Sequence, residues 1–116
     1  MDQQQPSSLL PHHRLRAYAT ALELLREIRG AQIRDRMLRD QALRAAKSVC
    51  LNLAEGAGRV TRTDKARAYT VARGELVEAV AAVEIAAETN DVRESALPRI
   101  LALGNELYAV LTKLVR

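Results

Sequence analysis

The sequence predicts an all-α protein, an antiparallel up-down four-helix bundle, and three observations carry that prediction. Apolar residues recur at i, i+3, i+4 and i+7 in four successive segments, the stripe of an amphipathic helix. Phe and Trp are absent and Tyr occurs three times, so the core falls to Leu, Ile, Val and Ala, whose small side chains suit close helix packing and high helix propensity. The segments between the stripes are short, which favours neighbouring helices that run antiparallel. At 116 residues the chain has room for one domain with one core.

Residues 1–13 are expected to form a flexible tail, because Gln3, Gln4, Gln5, Pro6, Ser7, Ser8 and Pro11 do not favour a helix, and residues 14–116 form the bundle domain. The first helix is predicted from Arg14 to Arg29, with Leu15, Tyr18, Ala19, Leu22, Leu25 and Ile28 inward and Gly30 as its stop. A second helix begins near Leu38 to Asp40 and runs to about Ala57, burying Ala42, Ala45, Ala46, Val49, Cys50 and Leu53, with Gly56 and Gly58 ending it. Thr61, three residues before Asp64, is a cap for a third helix that extends to about Glu88. Its inward residues are Tyr69, Ala72, Leu76, Val80, Val83 and Ala87. Thr89, Asn90 and Asp91 form a turn, and Ser95 is the expected N-cap of a last helix with Pro98 in its first turn. That helix carries the clearest stripe: Leu97, Ile100, Leu101, Gly104, Leu107, Tyr108, Leu111, Leu114 and Val115.

The net charge of +4 is unevenly distributed. Residues 29–73 hold eleven basic side chains against Asp35, Asp40, Glu55 and Asp64, a net +7, while residues 74–116 are net −3 and residues 1–28 are neutral. A localised positive field concentrates polyanions such as nucleic acid, or it serves only as a solvated surface. One cysteine, Cys50, allows no intrachain disulfide, and the N-terminus has neither the basic nor the apolar region of a signal sequence. No run of about 18 uncharged apolar residues occurs. The expectation is a cytoplasmic protein without a membrane span.

Catalytic chemistry has few possible agents. The two histidines, His12 and His13, both lie before the first predicted helix, so Ser-His, Cys-His and Glu-x-x-His arrangements on helices are ruled out. Glu75, Glu78, Glu84 and Glu88 follow helical spacing and read as a solvated face. Gly56-Ala57-Gly58 follows a helix, whereas a phosphate loop follows a strand. Cys50 sits among apolar neighbours and reads as an inert core thiol. We therefore expect no enzyme activity, no metal and no cofactor. One polar row stands out: Ser48, Asn52, Glu55 and Arg59 recur along one side of the second helix. Exposed, it needs no explanation; covered, it would fix the register of an assembly.

The segment Gln41 to Arg59, QALRAAKSVCLNLAEGAGR, resembles the signature of the four-helix-bundle proteins encoded in intervening sequences of bacterial 23S ribosomal RNA genes. The matching residues are Gln41, Arg44, Ala45, Ala46, Ser48, Asn52, Ala54, Glu55, Gly56, Gly58 and Arg59. Tyr69, Ala72, Arg73, Gly74, Leu76 and Glu78 resemble a second stretch, with Glu75 in place of the usual Ser. The chain departs from the family pattern in residues 31–37, AQIRDRM, which lack its Pro and Tyr, and at Thr89-Asn90, where Gly-Tyr is common. The resemblance implies an antiparallel four-helix bundle assembled as a ring-like homopentamer. It also implies kinship with the accessory variability protein of diversity-generating retroelements, a basic pentamer that binds nucleic acid and its reverse transcriptase.

The expected function is a non-catalytic homo-oligomer that binds RNA or DNA, or assists a nucleic-acid enzyme such as a reverse transcriptase, through Arg34, Arg36, Arg39, Arg44, Arg59, Arg62, Lys65 and Arg67. Phosphate contacts of that kind are salt-sensitive and carry little base specificity. The alternative is a structural or protein-interaction scaffold, in which those arginines pair across subunits and Ser48, Asn52, Glu55 and Arg59 stabilise assembly; the residues that carry the family motif and assembly are Ser48, Asn52, Glu55, Gly56, Gly58, Arg59, Tyr69, Arg73, Gly74 and Glu78.

Overall fold

The computed structural model describes residues 9–116, and among them it contains four α-helices and no strand. They are α1 (Arg16–Ala31), α2 (Arg36–Gly58), α3 (Arg62–Glu88) and α4 (Leu97–Leu114), with 3-10 turns at Pro11–Arg14 and Glu94–Ala96. Each helix packs on the next in sequence and α4 closes back onto α1, the arrangement of an antiparallel up-down four-helix bundle. No helix among the described residues is long and apolar enough to cross a membrane.

The most extensive contact is between α2 and α3, and its cause is side-chain size. α2 buries Ala42, Ala45 and Ala46, α3 buries Ala68, Ala72, Ala79, Ala82 and Ala86, and such small residues let two helix axes approach closely. Larger side chains fill the remainder of the core: Leu24 and Ile28 from α1, Val49 and Leu53 from α2, Leu76 and Val83 from α3, and Ile100, Leu107 and Leu111 from α4. No polar or charged residue is buried among the described residues. The α2 stripe is as predicted.

α1 differs. Its buried residues are Ala17, Ala21, Leu24, Ile28 and Ala31, so the helix is rotated from the predicted face: Leu15, Tyr18, Leu22 and Leu25 flank the core half-buried and Ala19 is exposed. The alanines occupy the narrow line of closest approach, and the long side chains reach inward from its edges.

The helix ends also depart from expectation. Gly30 lies inside α1, which ends at Gln32 in the left-handed conformation (φ 52°, ψ 59°). The carbonyls of Gly30 and Ala31 accept from Arg93, so the helix continues past the glycine with its last acceptors satisfied. α2 starts earlier than predicted because the Asp35 carboxylate accepts from the Leu38 amide at 2.9 Å, an N-cap. Thr61 caps α3 as expected, its hydroxyl accepting from the Asp64 amide at 3.1 Å. Ser95 does not cap α4; it lies in the Glu94–Ala96 turn, and the helix begins after Ala96 without a side-chain cap.

Of the segment expected to be a tail, residues 1–8 lie outside the described residues. Pro11–Arg14 makes a 3-10 turn against α2, aided by the preset φ of Pro11, and the His12 ring meets Tyr18 edge-on at 4.7 Å. Ile33 and Val92, from the two connections at one end of the bundle, are both buried, and the Arg34 amide donates to the Asp91 carbonyl at 2.7 Å to join those connections.

Leu107→Ala, at a wholly buried site, should cost about 2–5 kcal/mol in urea unfolding. Ala19→Gln, on the exposed side of α1, should change stability by less than about 0.5 kcal/mol; a core-sized loss at Ala19 would show that α1 packs on its other face.

Candidate nucleic-acid interface

The α2–α3 hairpin places most of the residues singled out by the sequence. The Lys65 ammonium donates to the carbonyls of Gly56 at 3.2 Å and Ala57 at 2.9 Å, which satisfies acceptors in the last turn of α2 and puts a positive charge at its negative end. The Arg62 guanidinium donates to the Arg116 carbonyl at 3.0 and 3.3 Å, holding the start of α3 to the end of the α4 segment. Gly56 faces the ring of Tyr69 so closely that a Cβ would stand 2.5 Å from Cε1. The glycine is needed for that approach rather than as a helix stop. Burial pushes the Tyr69 phenol above its ordinary pKa.

The polar row on α2 stays at the surface of the single chain. The Asn52 amide donates to the Ser48 carbonyl at 2.9 Å and its hydroxyl at 3.1 Å, and Glu55 accepts from Arg59 at 2.5 Å, so α2 itself supplies partners for all four residues. Arg44 reaches across to α3, pairing with Glu78 at 2.5 Å and Glu75 at 3.5 Å. Glu78 is the largest cause of the upward shift of the Arg44 pKa, as Glu55 is for Arg59. Arg67 lies 3.8 Å from Asp64. Near the hairpin turn a hollow of about 250 Å³ is lined by Asn52, Glu55, Arg59, Asp64 and Arg67, two guanidinium groups opposed by two carboxylates. Pairs this exposed contribute about 0–1 kcal/mol each to stability. Further along α3, Arg73 stacks over Tyr108 at 5.5 Å and donates to Thr112, while a Cβ on Gly74 would meet nothing within 4 Å.

The remaining predicted cations lie at the opposite end of α2. Arg36 is 3.9 Å from Asp40 with both side chains well exposed. The Arg39 guanidinium donates to the carbonyls of Ile33 at 3.3 Å and Arg34 at 3.5 Å. A cleft of about 590 Å³ is lined by Arg29, Gln32, Ile33, Arg34, Arg39 and Leu43. The eight predicted cations therefore do not form one patch: Arg34, Arg36 and Arg39 stand at one end, Arg59, Arg62, Lys65 and Arg67 at the other, and Arg44 between. From Arg36 to Arg59 the length of α2 separates them by about 34 Å at 1.5 Å per residue. Arg29 and Arg93, which the sequence did not single out, come to the first group because α1 ends on the α2 connection and the α3–α4 connection crosses it. Only tertiary packing carries that information.

Cys50 is buried, and desolvation pushes its thiol up to about 11. Among the described residues no three His, Cys, Asp or Glu side chains are grouped to hold a metal ion.

Four antiparallel helices, with no charged residue buried among the described residues and a strongly charged surface, define a helical-bundle protein. The family model described as 23S rRNA-intervening sequence protein matches residues 13–113, and the chain belongs to that family. No curated protein matches it.

Gly56→Ala should destabilise the fold by about 1–3 kcal/mol through overpacking against Tyr69, although alanine is the better helix former. Gly58→Ala, where a Cβ has open space, should be neutral or stabilising by up to about 1 kcal/mol; thermal unfolding of the two variants tests the contrast. For Cys50, the folded thiol keeps its proton above the unfolded value of 9.0, so between about pH 9 and 11 the unfolded chain binds fewer protons and stability falls as pH rises. A thiol reagent at neutral pH should label the native protein far more slowly than the chain in denaturant, and equal rates would show that Cys50 is open to solvent.

Proposed function

We propose that the protein is a non-catalytic homo-oligomer, a pentamer, that acts in the cytoplasm and binds RNA or another nucleic acid in support of a larger nucleic-acid enzyme such as a reverse transcriptase. The observation that carries this reading is the placement of charge. The net +7 of residues 29–73 lies at the surface, because no charged residue is buried among the described residues. Affinity then comes mainly from phosphates, and with no Phe or Trp and three Tyr in the chain, base stacking contributes little. The family's description, an rRNA-intervening sequence protein, supports an RNA-related role in the same coarse terms. Pentamer formation rests on the resemblance described above. It is supported by Leu51, 71% exposed, and by Val71, Val77 and Ile85, also exposed on α2 and α3, beside Gly74, whose open space would let another helix come close. Repetition of a basic surface around a ring adds avidity without new contacts.

A second reading, a scaffold without nucleic-acid binding, is favoured by one observation: Arg44, Arg59 and Arg67 already face carboxylates. Light scattering on the purified protein, with and without a short structured RNA at low and high salt, separates the two. We expect an oligomer that takes up RNA at low salt and releases it at high salt. An oligomer indifferent to RNA would favour the scaffold, and a monomer would overturn the assembly.

A further inference from the structure

We infer that the phosphates of an RNA backbone are held in the cleft at the α1–α2 connection, by Arg29, Arg34 and Arg39 with Arg93 alongside. This rests on the RNA-binding reading and says where on the molecule that binding occurs.

The arginines divide by what their guanidinium groups face. Arg36, Arg44, Arg59, Arg67 and Arg99 each lie against a carboxylate, which cancels much of their field and would have to be displaced by an incoming phosphate. Among the described residues, Arg29, Arg34, Arg39 and Arg93 make no such pair; Arg14, Arg16, Arg26, Arg62 and Arg73 make none either, and what sets the first four apart is that they gather at one connection. Arg39 touches carbonyls of the connection at 3.3 and 3.5 Å, and Arg93 touches those of Gly30 and Ala31 at 3.4 Å. A carbonyl orients a guanidinium and leaves its charge intact, with further N–H donors to spare.

The nearby carboxylates are engaged with other groups. Asp35 accepts from the Leu38 amide, Asp40 faces Arg36 and Asp91 accepts from the Thr89 hydroxyl at 2.6 Å. None of them lines the cleft, whose floor includes the buried Ile33. The lining adds the amide of Gln32, at a left-handed position that glycine would occupy at lower cost. The cleft is shallow and open to solvent, so a sugar-phosphate unit can reach its guanidinium groups, and planar guanidinium forks match phosphate oxygens two at a time. No aromatic side chain lines the cleft, so it would grip backbone and leave base identity unread.

The test is fluorescence anisotropy with a labelled RNA hairpin across a salt series, on the full chain. The cleft variant is Arg29→Ala/Arg34→Ala, and Arg16→Ala/Lys113→Ala, two exposed cations outside residues 29–73, is a control that removes the same charge elsewhere. Circular dichroism and light scattering confirm that helicity and assembly are unchanged. Should the double variant fold poorly, Arg34→Ala alone replaces it, since that side chain makes no hydrogen bond or ion pair among the described residues. The cleft variant should bind about tenfold more weakly near 0.1 M salt and lose about 1.5 from the slope of log affinity against log salt, while the control shifts by less than about twofold. Arg29→Lys/Arg34→Lys should retain most of the slope. If the control weakens binding as much, or the cleft variant binds like the unaltered protein, the cleft is not the phosphate site although the protein binds RNA. If the unaltered protein takes up no RNA at any salt, the RNA-binding reading itself fails, and the cleft assignment with it.

Discussion

Close contact between α2 and α3 is the constraint on which the other features depend. It requires alanine along both facing surfaces and a glycine at position 56, where any Cβ would run into the Tyr69 ring. Alanines bury little apolar area per residue, so the larger buried side chains of all four helices, Leu24 and Ile28, Val49 and Leu53, Leu76 and Val83, and Ile100, Leu107 and Leu111, supply the bulk of the hydrophobic stabilisation. The same economy has an outward consequence. α3 places valine and isoleucine around its circumference rather than along one stripe, leaving Val71, Val77 and Ile85 exposed. α3 already packs on α2 and α4, so apolar residues left exposed beyond those contacts are the physical support for the proposed assembly of copies on this helix.

Charge in this protein contributes little to holding it together. With no charged group buried among the described residues, none of the surface pairs described meets the low-dielectric conditions under which an ion pair becomes strong or costly. Cations do have a structural use at the helix ends. Lys65, Arg93 and Arg62 each donate to backbone carbonyls at or near a helix terminus, where partners are otherwise lacking. Removing one of these would loosen a junction between segments, an effect separate from any loss of long-range field.

The four helices and the whole buried stripe of α2 were legible in the sequence because periodicity is a local property, and local periodicity is what a helix expresses. The face of α1 was not. Its stripe of large residues and its stripe of alanines are offset by a fraction of a turn, and only the distance to the neighbouring helices decides which one lies innermost. Ile33 and Val92 were missed because each is a single apolar residue in a polar connection, without period. The candidate interface was half legible. Composition identified the basic stretch, but residues adjacent along α2 were grouped as one surface when a helix of that length sets its ends about 34 Å apart. Arg29 and Arg93 could not be found at all from spacing, since each joins the cleft through a different connection.

The residues that carry the family resemblance take on a definite meaning once placed. Ser48 and Asn52 satisfy each other, Glu55 and Arg59 pair within one turn, Gly56 admits Tyr69, and Arg44 joins α2 to Glu78 of α3. Within one chain these contacts all serve to shape and join the α2–α3 hairpin, so the signature describes how that hairpin is built. The cleft at the other end of α2 draws mainly on residues 29–39, and the segment between the first two helices is one of the places where this chain departs from the family pattern. Such a division lets the connection vary its charge while the hairpin keeps its geometry, because a substitution on the surface of the connection changes the electrostatic field without disturbing the alanine contacts that set the spacing of the helices.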